Sequence, residues 1–216
     1  MNFKAIIFDL DGVICHTDEY HYLAWKSVAD SLSVPFDRKV NNRLRGVSRM
    51  ESLDIILENY SGKLSRVEKE ELAEQKNELY KRYLNRMSEK DLSQEVKTTL
   101  DALREKGLLL AIGSSSKNAP FILRQLGLDG YFDAVSDGNN IKRSKPNPEV
   151  FLKAAAQLCL PPQDCLVVED AVSGAQAGHG GGMKVAAIGD AAKACAGNWN
   201  MEHFSDLLRI ISDEES

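Results

Sequence analysis

Short apolar runs mark the places where the chain is expected to form buried strands. The first run covers residues 4–10 (KAIIFDL) and ends at Asp11-Gly12. Similar runs follow much later, at 108–113 (LLLAIG), 165–168 (CLVV) and 184–188 (KVAAI), with a weaker candidate at 132–135 (FDAV). Their apolar residues do not alternate with polar ones, which is typical of parallel strands that are covered on both faces.

Helical patterns separate the late apolar runs, at about 94–106, 117–127 and 147–159. The alternation of strand and helix predicts an α/β fold, in which right-handed crossovers connect the strands of a parallel sheet. We therefore expect a Rossmann-like parallel-sheet core, which binds its ligands at the carboxyl ends of the strands.

Residues 16–90 interrupt this alternation, because they contain no convincing strand. Helical patterns occupy 19–33, 49–60 and 65–87 instead. A small α-helical domain is therefore expected as an insertion between the first and second strands. We predict that residues 1–15 and 91–216 form the core domain and that residues 16–90 form the inserted domain.

Charge is concentrated in the helix expected at 65–87, where Glu and Lys or Arg often stand four residues apart. Such pairs support an exposed helix, so we interpret this run as a solvated helix face. The whole chain of 216 residues has a formal net charge of -5. That balance gives no reason to expect nucleic acid or a membrane as a partner, so any phosphate site must be a local concentration of cations.

The cysteines and the apolar content favour a soluble cytoplasmic protein. The four cysteines, at 15, 159, 165 and 195, form no CxxC pair and are too few for a disulfide scaffold. The first dozen residues include Lys4, Asp9 and Asp11, so they contain no signal-like apolar segment. No apolar run approaches the length of a transmembrane helix. A monomer is expected.

Two aspartates stand where the first strand is expected to end, in the segment FDLDG at 8–12. Residues two apart on a strand point to the same side, so Asp9 and Asp11 are expected to lie together at the ligand-binding edge of the sheet. Two carboxylates this close repel each other unless a cation or a shared proton intervenes, and Mg²⁺ prefers such oxygen ligands. The alternative is an ordinary Asp-Gly turn.

Three later segments add residues suited to a metal or a phosphate. Glu169-Asp170 directly follows the CLVV run, where it can join the first acid pair or cap a helix. Ser114-Ser115-Ser116 follows LLLAIG, where hydroxyls at a helix start bind phosphate or act as N-caps. Lys145 precedes an expected helix, where it can reach a phosphate or lie on the surface. Together these segments predict a metal and phosphate site at one edge of the sheet.

The order of these elements resembles the phosphotransferase branch of the haloacid dehalogenase superfamily, which shows DxD, then Ser or Thr, then Lys, then an acidic pair. The resemblance spans essentially the whole chain and implies that the helical insertion is a cap domain. The segments DEYHYLAW (18–25), RGVSR (45–49) and SSSKN (114–118) resemble those phosphomutases of the superfamily that interconvert β-D-glucose 1-phosphate and glucose 6-phosphate. The implied ligand is a small phosphorylated sugar.

The resemblance implies a catalytic role for each motif. Asp9 would attack phosphorus to form an aspartyl-phosphate, and Asp11 would act as general acid and base. Lys145 and Ser114 would hold the phosphoryl oxygens. The implied ligands of Mg²⁺ are the Asp9 carboxylate, the Asp11 backbone carbonyl, Asp170 and, in support, Glu169.

A second phosphate site is also implied by the resemblance. Arg49 would hold the distal phosphate of the sugar from the cap side. The other residues implied to contact the substrate are Gly46, Val47, Ser116, Lys117 and Asn118. Thr17 and His21 would steady the hinge and the general acid and base, and Trp25 would line the cavity. His21 and Trp25 stand four residues apart, so they also fit simple core packing on one helix face.

Three segments depart from the family pattern. Cys15-His16 replaces a small or acidic pair in the hinge, and Ser93-Gln94-Glu95 replaces the Pro-Gly at which the chain usually returns to the core. Glycines in GHGGGM (178–183) replace an alanine-rich helix. Since each Gly costs about 1 kcal/mol relative to Ala in a helix interior, the helix after Asp170 is expected to end early.

Two other functions remain open at this stage. A sugar-phosphate phosphatase of the same superfamily would share every catalytic residue and would differ in admitting water to the aspartyl-phosphate. The RGVSR and SSSKN segments favour a mutase, because a mutase must hold a second phosphate in two orientations. A non-catalytic sugar-phosphate-binding protein is the other alternative, and the complete set of catalytic motifs argues against it because a binder needs no nucleophile.

Overall fold

A computed structural model describes residues 3–214 and contains one parallel sheet of six strands within that range. The strands are β1 (Ala5–Phe8), β2 (Leu109–Gly113), β3 (Ala134–Ser136), β4 (Cys165–Glu169), β5 (Lys184–Ala187) and β6 (Trp199–Asn200). Their order across the sheet is β3-β2-β1-β4-β5-β6, and all neighbours are parallel. The expected α/β fold is confirmed. The short edge strand β6 has no counterpart among the apolar runs.

Helices cover both the insertion and the connections between strands. They are α1 (Asp18–Ser31), α2 (Arg38–Asn42), α3 (Arg49–Ile56), α4 (Arg66–Leu84), α5 (Gln94–Glu105), α6 (Ala119–Gln125), α7 (Glu149–Gln157), α8 (Val172–Gly180), α9 (Gly189–Lys193) and α10 (Asp206–Glu214). Single 3-10 turns occur at Leu57–Asn59, Glu89–Asp91 and Pro162–Asp164. Among the described residues, no helix has the length and apolar content needed to cross a membrane.

Strand β1 shows why the apolar runs do not alternate. Ile6 and Phe8 belong to the hydrophobic cluster on one face of the sheet, while Ala5 and Ile7 belong to the cluster on the other. All four side chains are fully buried. Because helices cover both faces, every position of the strand favours an apolar residue.

The helical insertion has a hydrophobic cluster of its own, which includes Trp25, Phe36 and Leu53. Two of its helices also reach the core, since Ala24 of α1 and Tyr80 of α4 pack into the cluster beneath the sheet. This packing agrees with an inserted domain that is anchored through α1 and α4. The proposed boundaries after residues 15 and 90 stay a prediction, and residues 1, 2, 215 and 216 lie outside the described residues.

Two of the segments that depart from the family pattern have clear structural roles. The hydroxyl of Ser93 accepts a hydrogen bond from the backbone N–H of Val96 at 3.1 Å and so caps α5. Helix α8 continues through Gly174 and Gly178 and ends at Gly180. A Cβ atom on Gly178 would lie 2.7 Å from Val185 Cγ2, so glycine allows α8 to approach β5 closely.

Candidate active site

The acid, hydroxyl and lysine motifs meet at the carboxyl edge of the sheet. Asp9 follows β1, Ser114 follows β2, and Glu169 ends β4 with Asp170 beside it. Strand β1 pairs with β2 on one side and with β4 on the other, so the three strand ends are adjacent. They border a cavity of about 510 Å³, as expected for the crevice where the strand order of an open sheet reverses.

Lys145 lies between two carboxylates of this edge. Its Nζ is 2.5 Å from Asp9 Oδ1 and 2.5 Å from Glu169 Oε1, and its side chain is 1% exposed. Burial alone would lower the pKa of Lys145, but the carboxylates of Asp9 and Glu169 outweigh burial and raise that pKa above its ordinary value. Lys145 is therefore a buried cation paired with two acids that line the cavity, and its interpretation as a surface lysine is wrong.

Three acids of the same edge form a group that suits a metal ion. Asp9, Glu169 and Asp170 are buried, and each offers a carboxylate oxygen within 4.8 Å of the others. Burial and the carboxylates of Glu169 and Asp9 raise the pKa of Asp170 to about 9. Three buried carboxyl groups that repel one another when ionised, and that offer oxygen donors, fit a small, hard divalent cation such as Mg²⁺.

Two glycines make room for these acids. A Cβ atom on Gly12, whose φ is +94°, would lie 2.0 Å from Asp170 Oδ2. A Cβ atom on Gly174 would lie 1.8 Å from Glu169 Oε1. Both positions require glycine because the backbone passes directly against a carboxylate, and Gly12 also needs the left-handed conformation.

The helix-capping interpretations of Ser114 and Asp170 are not supported. Helix α6 begins after Asn118 and not after Ser114, whose buried hydroxyl accepts a hydrogen bond from the backbone N–H of Ser116 at 3.1 Å. The N-cap of α8 is Ala171, which makes no side-chain cap. Both side chains line the cavity, where Asp170 Oδ2 accepts a hydrogen bond from Arg45.

Asp11 lies near the three acids that could hold a metal ion, but its carboxylate contacts Thr17. Its carboxylate accepts a hydrogen bond from the hydroxyl of Thr17, which is fully buried just ahead of α1. Burial and the Asp9 carboxylate raise the pKa of Asp11 to about 7, although the Thr17 hydroxyl acts in the opposite direction. A carboxyl group with a pKa near neutrality suits general acid and base chemistry.

His21 contacts a lysine for which the sequence analysis predicted no role. Its Nδ1 lies 2.9 Å from Lys76 Nζ, and its ring centroid lies 4.1 Å from that of Tyr80. Burial and the Lys76 charge lower the pKa of His21 well below its ordinary value. Burial and the Arg49 guanidinium lower the pKa of Lys76 to about 7. His21 and Trp25 therefore line the cavity as well as packing within the insertion.

The interpretation of the charged helix as a solvated face is wrong on one side of α4. Lys76 and Asn77 are 3% and 5% exposed. They lie on the same stripe as Ala73, Tyr80 and Leu84, which are buried at helical spacing. Two polar residues within an apolar stripe of period 3.6 were the signal that could have identified them.

The residues expected at a second phosphate site line the same cavity. Gly46 and Val47 lie in the loop before α3, which Ser48 caps, and Arg49 is the first residue of that helix. Ser116, Lys117 and Asn118 come from the loop before α6. Arg49 donates to Glu74 Oε2 at 3.0 Å, and Lys117 is exposed. Both cations are separate from the pair that Lys145 makes with Asp9.

Comparison with known proteins identifies the family. The chain matches the haloacid dehalogenase-like hydrolase family over residues 3–182 and belongs to it. It is 40% identical to the beta-phosphoglucomutase of Bacillus subtilis over 98% of this chain and 95% of that protein. A crystal structure of beta-phosphoglucomutase from Clostridium difficile matches with a TM-score of 0.92 and 34% identity, covering 99% of this chain and 98% of the other.

A phosphatase is also among the relatives. The phosphorylated carbohydrates phosphatase of Thermotoga maritima is 30% identical over 84% of this chain and 82% of its own length. The resemblance to phosphomutases that the motifs indicated is confirmed by the two beta-phosphoglucomutase matches. The choice between mutase and phosphatase therefore depends on the chemistry of the site.

Proposed function

We propose that this chain is a Mg²⁺-dependent phosphomutase that interconverts β-D-glucose 1-phosphate and glucose 6-phosphate through an aspartyl-phosphate enzyme and a sugar bisphosphate. The observation that carries the proposal is that cations stand in two separate places around one cavity: Lys145 is buried against Asp9 and Glu169 at its wall, and Arg49 and Lys117 line it elsewhere. Lys145 is paired with the proposed nucleophile Asp9, whereas Arg49 and Lys117 belong to other elements. An enzyme that moves a phosphoryl group between two positions of one sugar must hold the reacting phosphate and a distal phosphate together.

In the first half of the reaction, Asp9 is the nucleophile. A carboxylate oxygen of Asp9 forms a bond to phosphorus as the bond from phosphorus to the sugar oxygen breaks. Asp11 gives its proton to the leaving sugar oxygen, which its near-neutral pKa supports. Lys145 and Ser114 hold the phosphoryl oxygens while charge builds up on them.

In the second half, a molecule of β-D-glucose 1-phosphate presents its free 6-hydroxyl to the aspartyl-phosphate, and the transfer makes the sugar bisphosphate. Asp11 removes the proton of that hydroxyl as its oxygen attacks phosphorus, and the carboxylate of Asp9 is released. The bisphosphate then turns round in the cavity and gives its 1-phosphate to Asp9 by the first half-reaction, which releases glucose 6-phosphate. Asp9, Asp170 and the Asp11 backbone carbonyl would hold Mg²⁺, with Glu169 in support. When bound, the ion would neutralise part of the charge on the phosphoryl group.

Phosphatase activity is the second candidate, and the Thermotoga maritima relative favours it. Such an enzyme would use the same residues and pass the phosphoryl group of Asp9 to water. Two features support the mutase instead: the partly enclosing helical insertion, with Trp25 and His21 on the cavity wall, and the cations Arg49 and Lys117. Exclusion of water favours return of the phosphoryl group to a sugar hydroxyl.

The decisive experiment follows two products at once. The protein is incubated with Mg²⁺, β-D-glucose 1-phosphate and a trace of glucose 1,6-bisphosphate, while glucose 6-phosphate and free phosphate are measured together. Glucose 6-phosphate with little free phosphate is the expected result. Free phosphate as the main product would instead establish the phosphatase. If neither product forms, both candidate functions for this sugar are contradicted. The cytoplasmic location and the monomeric state also stay predictions.

Asp9→Asn tests the nucleophile. We expect this variant to lose turnover completely while its far-UV circular dichroism stays that of the parent, because the amide cannot attack phosphorus but fills the same space. Acid-quenched samples of the parent, incubated with the bisphosphate, should carry phosphate on Asp9 by mass spectrometry. A variant that retains most of the activity would remove Asp9 from this role.

A further inference from the structure

A chain of hydrogen bonds links the helical insertion to the core beside the cavity. Arg49 Nη1 donates to Glu74 Oε2 at 3.0 Å, and Asn77 Nδ2 donates to Glu74 Oε1 at 3.1 Å. Asn118 Nδ2 then donates to Asn77 Oδ1 at 3.1 Å. Glu74 and Asn77 are on α4, whereas Arg49 begins α3 and Asn118 precedes α6. The two end residues are those expected to hold a distal phosphate from opposite sides.

Asn77 is the buried link of this chain. It is 5% exposed and lies one turn from the buried apolar residues Ala73 and Tyr80. A buried amide is unfavourable unless its donor and acceptor are both used, and here each has a partner. An apolar side chain would fill the same position without that requirement. The polar residue therefore serves the connection and not the packing of α4.

Glu74 is the exposed member of this series of hydrogen bonds and lies between Arg49 and Asn77. Its side chain is 57% exposed, so its ion pair with Arg49 adds little to the stability of the fold. Both of its oxygens are nevertheless used, one by Arg49 and one by Asn77. This shared carboxylate fixes the direction of the Arg49 guanidinium relative to Asn77, and hence relative to Asn118.

We propose that Glu74 and Asn77 are positioning residues that hold Arg49 and Asn118 in register for the distal phosphate of a sugar bisphosphate. The proposal rests on the function proposed above. These hydrogen bonds join the insertion to the core. They therefore orient Arg49 relative to Asn118, and no other contact among the described residues links these two side chains directly. Loss of these hydrogen bonds weakens the binding of a ligand with two phosphates and leaves the site at Asp9 and Lys145 unchanged.

Direct binding tests this role without turnover. In the Asp9→Asn background, isothermal titration calorimetry with Mg²⁺ gives the Kd of glucose 1,6-bisphosphate and, separately, of inorganic phosphate. Asn77→Leu keeps the branched shape of the side chain and removes both hydrogen bonds, so we expect the Kd of the bisphosphate to rise about 10-fold. The Kd of inorganic phosphate should stay within about 2-fold of its value without the Asn77 substitution, which is a smaller change than the loss of one hydrogen bond would cause.

A second pair of variants covers the case in which Asn77→Leu does not fold. Glu74→Ala removes the acceptor that Arg49 and Asn77 share, and Glu71→Ala removes another exposed carboxylate one turn earlier on α4. Glu74→Ala should raise the Kd of the bisphosphate about 5-fold, as for one net hydrogen bond, and Glu71→Ala should leave it unchanged.

The outcomes separate this proposal from the function on which it rests. Unchanged bisphosphate affinity in the folded variants, or equal losses for bisphosphate and inorganic phosphate, would overturn the positioning role alone. If the Asp9→Asn protein with all other residues intact fails to bind the bisphosphate, the mutase function and this proposal both fall.

Discussion

Arg45 of the insertion donates a hydrogen bond from Nη2 to Asp170 Oδ2 at 2.5 Å. The same guanidinium reaches Asp18 at 2.8 Å and Asp190 at 2.9 Å, so it joins α1, the end of β4 and α9. Arg45 therefore pairs with one of the acids proposed to hold Mg²⁺, and its charge favours the ionised form of that acid. No individual role for this arginine was predicted from the sequence, because all three of its partners come from other segments.

Replacing Arg45 should make stability depend more strongly on Mg²⁺. Arg45→Met leaves the buried Asp170 without its cation, and we expect the melting temperature in EDTA to fall by about 3–8 °C. Excess Mg²⁺ should restore most of that loss, because the ion neutralises the same carboxylate. Thermal melts followed by circular dichroism measure both effects.

Arg43→Met is the matched control for this experiment, because Arg43 pairs with Glu58 on the surface of the insertion. Its melting temperature should change little and should not respond to Mg²⁺ differently from the parent. If the melting temperature of Arg45→Met falls below that of the parent by the same amount with and without Mg²⁺, Arg45 and the ion do not both bind Asp170.

The raised pKa of Asp11 predicts a pH dependence of stability. A carboxyl group whose pKa is about 7 when folded and 3.8 when unfolded binds its proton more tightly in the folded state. The folded state therefore loses stability as pH rises from about 4 to about 7. Between about pH 5 and pH 8 we expect Asp11 to contribute a loss of roughly 1–3 kcal/mol in the free energy of unfolding, in EDTA.

Comparing Asp11→Asn with the parent isolates the contribution of Asp11. The raised pKa of Asp170 also lowers stability as pH rises, but it does so in both proteins. Urea unfolding at about pH 5 and about pH 8 should show that the free energy of unfolding of the variant rises relative to that of the parent as pH rises. An unchanged difference between variant and parent would mean that the pKa of Asp11 is not raised. The same variant should lack mutase activity, because an amide cannot exchange the proton.

Lys145 should be essential to the fold as well as to the reaction. Lys145→Met leaves Asp9 and Glu169 buried without their cation, so we expect a loss of about 3–5 kcal/mol in the free energy of unfolding in EDTA. Lys26→Met, which breaks an exposed pair with Asp30, should cost less than about 1 kcal/mol. Comparable losses in the two variants would contradict the burial argument for Lys145.

Arg49 should matter only when the ligand has a distal phosphate. Arg49→Ala should lower bisphosphate-dependent mutase turnover about 10- to 100-fold, as expected for a lost charge-assisted hydrogen bond to phosphate. Hydrolysis of a small ester such as p-nitrophenyl phosphate should change by less than about 3-fold. Equal losses in both assays would show that Arg49 does not hold a distal phosphate.

The sequence by itself determined five of the six strands and the edge of the sheet at which the main motifs meet. Strands covered on both faces are locally apolar, so four of the apolar runs correspond to β1, β2, β4 and β5. Asp9, Ser114 and Glu169 lie at strand ends, and adjacent strands bring such ends together whatever the details of the loops. The weaker run at 132–135 predicted β3 with its boundaries displaced, because only three residues pair there.

Only the tertiary structure decided which residues of the insertion face the cavity. Lys76 and Asn77 stand within a charge-dense helix, and local pattern could not show that their side of α4 turns inward against His21 and Asn118. Arg45 likewise meets Asp170 through a contact between residues far apart in the chain. The physical reason is that strand ends are brought together by regular backbone pairing, whereas contacts between the insertion and the core depend on how whole helices pack.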